Sequence, residues 1–244
     1  MQQSRSDSGF VYRYRIRRCF FVKPISIAVD GPSGAGKSTL ARRLAARLHY
    51  IYVDTGALYR AIAYASLKNG ADTPEKVVSM LPDLKVTLGY ADGEQHVYVN
   101  GEDVSGMIRT PEVSMEASRV SALPEVRQFL FDLQQSLARE QSVVMDGRDI
   151  GTVVLPDADV KIFLTASAEK RAERRFKELR EKQNSTQTYE EVLADVIRRD
   201  KQDTERKISP LRQAEDAVLV DTSDADLDQS EEMLLAVCRE KLGL

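Results

Sequence analysis

The string Gly31-Pro32-Ser33-Gly34-Ala35-Gly36-Lys37-Ser38 sets three glycines, a lysine and a hydroxyl at the spacing G-x-x-x-x-G-K-[ST]. Each residue type has a physical reason at its place. Glycines let successive backbone N–H groups turn toward an anion with no Cβ in the way. Lys37 brings a mobile positive charge to the outer phosphates of a nucleotide, and the Ser38 hydroxyl suits a Mg²⁺ ion. The apolar run ISIAVD precedes the loop and the helical stretch STLARRLAARL follows it. The backbone donors of Gly31 to Thr39 therefore stand where a helix N-terminus adds its dipole. This is a phosphate-binding loop (P-loop) in its required context.

Nucleotide binding does not name a reaction, and three further strings bear on it. Asp54-Thr55-Gly56-Ala57-Leu58-Tyr59-Arg60 follows a second short apolar run and opens a helix. That is the carboxyl edge of a parallel sheet, where ligands collect. Arg60, one turn into the helix, has the planar fork that grips a phosphate, while Asp54 alone is also an ordinary helix cap. Asp146-Gly147-Arg148-Asp149 ends the apolar run SVVMD. Asp146 has the place of a carboxylate that supports a nucleotide's Mg²⁺ from behind, and Arg148 and Asp149 project over the same crevice. Finally, Arg171, Arg174, Arg175 and Arg180 stand on one very charged helical stretch. Arg198, Arg199 and Arg206 stand on the next, beyond the polar hinge QNSTQT. Like charges four apart, such as Arg171 and Arg175, are unfavourable unless an anion joins them. A basic flap closing over a transferring phosphate gives them one. No N-K-x-D string for guanine is present.

The elements that must position these residues read as alternating strand and helix. Strands are expected at 25–30, 51–53, 142–146, 160–165 and 217–221, the pattern of a parallel α/β sheet. Leu40, Leu44 and Leu48 mark one face of the first helix. Helices are also expected at 57–68, 74–82, 111–121 and 124–139, and at the C-terminus. Between the second and third strands the period changes to two around Asp92-Gly93 and Asn100-Gly101, which is antiparallel hairpin chemistry.

The chain has 244 residues with 30% charged and 42% hydrophobic, enough to bury one large core without staples. A net charge of −3 argues against a nucleic-acid binder. No apolar run approaches the roughly 18 residues of a membrane span. The two cysteines, Cys19 and Cys238, and the two histidines, His49 and His96, have no metal-ligand spacing and suit a reducing, cytoplasmic setting. Residues 1–23 carry Arg5, Arg13, Arg15, Arg17, Arg18 and Lys23 against the single acid Asp7. Nothing in them builds a core of its own, so they read as a disordered, dispensable extension.

Taken in order, IAVDGPSGAGKST, DTGALYR, VNGEDVS, IRTPEVS, DGRDIGTVVLPDADVKIFL and RRDKQDTER resemble bacterial cytidylate kinase over residues 24–244. The resemblance implies a three-layer α/β P-loop kinase fold with a parallel five-stranded sheet. Its core would be residues 24–83 and 140–244, with a nucleotide-monophosphate-binding insertion at about 84–139 and a helical lid at about 171–206. It implies transfer of the terminal phosphoryl group of ATP, with Mg²⁺, to CMP or dCMP. By the same likeness Gly31 to Thr39 form the ATP site. Thr55, Tyr59 and Arg60 contact the acceptor's phosphate and sugar, and Ser118, Arg127 and Asp149 read cytosine. Arg148 and Arg206 clamp phosphate and act with Lys37 in catalysis, while Arg199 and Asp203 touch the sugar. Cytosine's edge agrees with this: its amino donor faces a carboxylate and its two acceptors face an arginine, whereas uracil would set an oxygen against the carboxylate. The expected partners are ATP, CMP and dCMP, with no nucleic acid or membrane, and the expected state is a monomer. The alternatives are another small acceptor (UMP, AMP or shikimate) and a nucleotide-binding switch with no acceptor.

Overall fold

A computed structural model describes residues 23–91, 93–181 and 186–244. The expectations for the basic extension up to residue 22, the tip residue Asp92 and the first half of the QNSTQT hinge lie outside the described residues.

Strand β1 (Ser26–Asp30) leads through the phosphate loop to α1 (Lys37–Leu48), β2 (Ile51–Asp54) and α2 (Thr55–Lys68). Then come α3 (Pro74–Met80), a 3₁₀ turn, and the strands β3 (Val86–Ala91), β4 (Glu94–Val99) and β5 (Glu102–Asp103). Helices α4 (Pro111–Val120) and α5 (Pro124–Glu140) return the chain to β6 (Val143–Asp146). A short π-helical turn (Ile150–Val154), β7 (Val160–Thr165), α6 (Ala168–Glu181), α7 (Tyr189–Glu205), β8 (Val218–Asp221) and α8 (Leu227–Leu242) complete it.

Local chemistry sets many of these boundaries. Asp54, Thr73, Thr110, Thr188 and Asp226 each accept a hydrogen bond from a backbone N–H in the first turn of the helix they precede, which satisfies donors that the helix leaves orphaned. Thr188 with Glu191 and Asp226 with Gln229 form complete capping boxes. Asn100 (φ 50°) and Gly101 (φ 86°) make the left-handed turn that joins β4 to β5.

The five long-range strands form one parallel sheet in the order β2-β6-β1-β7-β8. β6 lies against both β1 and β2, in register at Asp146 with Val29 and Asp54. β6 thus separates the strand that ends at Asp54 from the strand that leads into the P-loop. Val143, Val144 and Met145 are wholly buried, as expected of a strand covered on both faces. The antiparallel sheet β3-β4-β5 belongs to the insertion, and it packs with α2, α3, α4 and α5 around Leu58, Ile62, Ile108 and Leu130. A second apolar cluster joins β1, α1, β7 and α8 and takes in Cys238, which is buried and free as expected. Among the described residues no helix is long and apolar enough to cross a membrane.

Candidate phosphoryl-transfer site

The register brings Asp30, Asp54 and Asp146 to one edge of the sheet, at the carboxyl ends of β1, β2 and β6. Gly31 follows with φ 149°, and a Cβ there would stand 1.9 Å from the carbonyl oxygen of Leu164, so the loop leaves β1 along a path only glycine permits. Lys37 is buried (5% exposed), with its Nζ donating to the Pro32 carbonyl at 2.7 Å inside the loop. Burial and the neighbouring Arg148 pull its pKa well below the ordinary lysine value, against Asp146, Asp30 and Asp203.

Ser38 Oγ donates to Asp146 Oδ2 at 2.9 Å, and the Tyr52 hydroxyl donates to Asp146 Oδ1 at 2.9 Å. Burial pushes the Asp146 carboxyl up, with Asp54 adding and Lys37 opposing. A hydroxyl and a carboxylate side by side at the loop are the hard oxygen donors that Mg²⁺ takes, its remaining positions being left to phosphate and water. Among the described residues no group of three or more His, Cys, Asp or Glu side chains could hold a metal without such help.

Facing the loop is a set of arginines. Arg60 is paired with Asp54 Oδ2 at 2.8 Å, and Asp54 Oδ1 also caps α2 at Ala57 N. Arg148 Nε donates to Asp203 Oδ2 at 2.9 Å. Arg199 reaches solvent along α7 but is crowded on its inner side; burial, then Arg148, Arg175 and Arg60 lower its pKa while Asp203 opposes. Burial lowers the pKa of Arg206 as well, with Arg127 adding and Asp149 opposing. Arg60 Nε and Arg206 Nη2 are buried without a hydrogen-bond partner. Crowded guanidiniums, two of them with buried N–H groups that make no hydrogen bond, form a cationic face suited to an anion.

Behind the arginines lies a more specific group. Asp149, 4% exposed, is paired with Arg127 Nη2 and lies 3.5 Å from Arg206 Nη2. The Arg127 guanidinium lies 5.5 Å from the Tyr59 ring centroid, over the aromatic ring. Ser118 is exposed on α4, and the hydrogen bond it makes is through its carbonyl, to Ser121 Oγ. Its hydroxyl is thus not tied to the Arg127–Asp149 pair. The Thr55 hydroxyl is committed to the Asp146 carbonyl at 2.8 Å, so Thr55 ties the start of α2 to the Asp146–Asp149 turn.

The basic flap divides. Arg171, 4% exposed, donates to the Ser33 and Ala166 carbonyls and makes a two-point pair with Asp200 on α7. Arg174 donates to the Thr222 carbonyl at 2.6 Å, and Arg198 pairs with Asp195. Against the expectation that the flap arginines await a phosphate, Arg171 and Arg198 already pair with carboxylates of the protein and Arg174 donates to a carbonyl. Arg171→Ala is expected to lower stability by about 3 kcal/mol, because it leaves Asp200 unpaired. This should depress the melting temperature by roughly 6 °C or more. A melting temperature within 2 °C of wild type, in roughly the range of a surface ion pair, would contradict the role given to this pair.

Several participants are not evident in the sequence. Gln95 on β4 holds Asp54 by its backbone N (2.8 Å) and O (3.3 Å), and Tyr90 on β3 donates to the Tyr52 carbonyl. The insertion is thereby sewn to the edge strand that presents Asp54. Neither residue carries a spacing signal. Asp30 carried one, as the last residue before the glycine loop.

A family model described as "Cytidylate kinase" matches residues 27–240. Proteins named cytidylate kinase are similar over nearly their whole length. The one from Caldicellulosiruptor bescii is 48% identical over 85% of this chain and 92% of its own. That from Thermosipho melanesiensis is 45% identical over 91% and 100%, and that from Ligilactobacillus salivarius 49% over 90% and 99%. The matched span takes in the phosphate loop, the facing arginines and the Arg127–Asp149 pair, and on that match this chain belongs to the cytidylate kinase family.

Proposed function

We propose that this chain transfers the terminal phosphoryl group of ATP to CMP and dCMP, forming ADP with CDP or dCDP. The observation that carries this reading is the cationic face opposite Lys37, where Arg148 and Arg60 crowd Arg199, with Arg206 beside the Arg127–Asp149 pair behind them. A donor-side loop alone needs no second cationic face.

In this reading Gly31, Pro32, Ser33, Gly34, Ala35, Gly36, Lys37, Ser38 and Thr39 hold the triphosphate of ATP. Arg60, Arg148 and Arg206 hold the acceptor's phosphate, Arg199 and Asp203 its sugar, and Tyr59, Thr55 and Ser118 complete the pocket walls. Ser38 would hold Mg²⁺, with Asp146 supporting it from behind through the Ser38 hydroxyl, and the ion when bound would neutralise charge on the outer phosphates. The acceptor phosphate is already an anion, so no general base is required. Lys37, Arg148 and Arg206 lower the barrier by placing positive charge where the transferring group gains negative charge, and the fixed geometry aligns the two phosphates. The Asp149 carboxylate accepts from the cytosine amino group and Arg127 donates to its acceptors. A cytoplasmic, monomeric enzyme goes with this reading, and the buried free thiol of Cys238 suits a reducing compartment.

The test is ADP release from ATP with CMP, dCMP, UMP, AMP and shikimate in turn. CMP and dCMP are expected to give the highest kcat/KM. A higher value for another acceptor would move the assignment to it. ATP turnover indifferent to every acceptor would favour the switch.

A further inference from the structure

Asp30 is the last residue of β1 and stands immediately before Gly31, yet its side chain makes its hydrogen bonds to neither the loop nor the strand. It is 5% exposed, and its two carboxylate oxygens accept separately from two consecutive amides, Oδ1 from Ile150 N at 2.8 Å and Oδ2 from Gly151 N at 2.7 Å. These amides begin the π-helical turn that follows Arg148 and Asp149. Gly151 lets the backbone come this close: a Cβ there would meet Lys161 Cδ at 3.2 Å and Asp30 Oδ2 at 3.4 Å. Burial pushes the Asp30 carboxyl up to about 6, against the pull of the two N–H donors. A buried carboxylate is costly; Asp30 also lends some support to the Lys37 charge, but both of its hydrogen bonds go to this backbone.

We propose that Asp30 is a positioning residue for the acceptor: its two-point anchor on Ile150 and Gly151 fixes Arg148 and Asp149, and so joins the root of the donor loop to the residues that grip CMP. The inference rests on the assignment of Arg148 and Asp149 to the acceptor. Through it, the strand that carries the ATP loop also sets the register of the acceptor side. A carboxylate is required because both partners are donors. An asparagine in its place offers one acceptor oxygen and turns an N–H pair against the second amide.

Calorimetric titration of the full chain with CMP and, separately, with ATP tests this in four proteins: wild type, Asp30→Asn, Asp149→Ala and the double variant. Asp30→Asn is expected to weaken CMP binding about tenfold or more, the scale of a lost charged hydrogen bond plus an unsatisfied buried amide, while ATP binding stays within about threefold. In the Asp149→Ala background Asp30→Asn should cost CMP distinctly less than it does alone, because residues acting through one another are not additive. Unchanged CMP affinity in Asp30→Asn, equal weakening toward both nucleotides, or full multiplication of the two effects would each overturn the proposal. A wild type that binds ATP but not CMP would overturn it by removing the acceptor assignment beneath it. Should Asp30→Asn give no cooperative melt, Asp30→Ser replaces it. Serine retains one small acceptor and leaves space for water, and the same split between CMP and ATP is expected.

Discussion

Lys37→Met will fold and lose turnover, with kcat falling at least about 10²-fold. The lysine is buried among the loop's own atoms, and its ammonium is disfavoured there by burial and by Arg148. A charge kept in such a place against its own desolvation is kept for another charge, and the outer phosphates of the donor are the anions this loop is shaped to hold. Methionine preserves the unbranched stem and its packing while deleting the ammonium. Stability should change little, since removing a desolvated cation is offset by leaving Asp30 and Asp146 without its opposing charge. Melting temperature and kcat measured on one preparation separate the two effects. A folded Lys37→Met protein with near-normal turnover would show that the loop binds nucleotide without taking part in transfer.

The second large effect concerns acceptor choice. Asp149→Ala is expected to reduce kcat/KM for CMP about 10²-fold or more and to reduce it for UMP distinctly less. The carboxylate is almost wholly buried, paired with Arg127 and near Arg206. A carboxylate presents only acceptors, so on the proposed assignment it would favour the amino group of cytosine over the oxygen that uracil carries in its place. Alanine removes both the attraction and the repulsion. It also frees Arg127 and Arg206 from their shared carboxylate, so some loss with either acceptor is expected. The diagnostic quantity is the ratio between the two acceptors. Equal loss with CMP and UMP would mean that Asp149 only holds its arginines in place.

Much of this architecture was legible in the residues, and the reason is physical. Parallel strands buried on both faces read as continuous apolar runs, so ISIAVD, SVVMD and VKIFL declared themselves within a residue or two of β1, β6 and β7. Turn chemistry at Asn100-Gly101 gave the antiparallel insertion. Strand order was not legible, because a sequence records neighbours along the chain and not across a sheet; hence β6 between β1 and β2. Side-chain commitments were legible only in part. Arg171 and Arg199 look alike in a charged helix, yet one is paired with Asp200 across the hinge and the other faces Arg148 and Arg60. Thr55 reads as a free hydroxyl at a helix start but spends its hydrogen bond on Asp146. Asp30 reads as the end of a strand, and only the fold brings Ile150 and Gly151 to it.

The cationic face opposite the phosphate loop is expected to receive a nucleoside monophosphate, to which the phosphoryl group passes intact. Phosphorus NMR of the enzyme with ATP, Mg²⁺ and CMP observes that transfer directly. The γ-phosphate resonance of ATP should decline as the β-phosphate resonance of CDP grows in equal measure, with no build-up of inorganic phosphate. Release of inorganic phosphate in place of CDP, or no loss of ATP until a different acceptor is supplied, would contradict it.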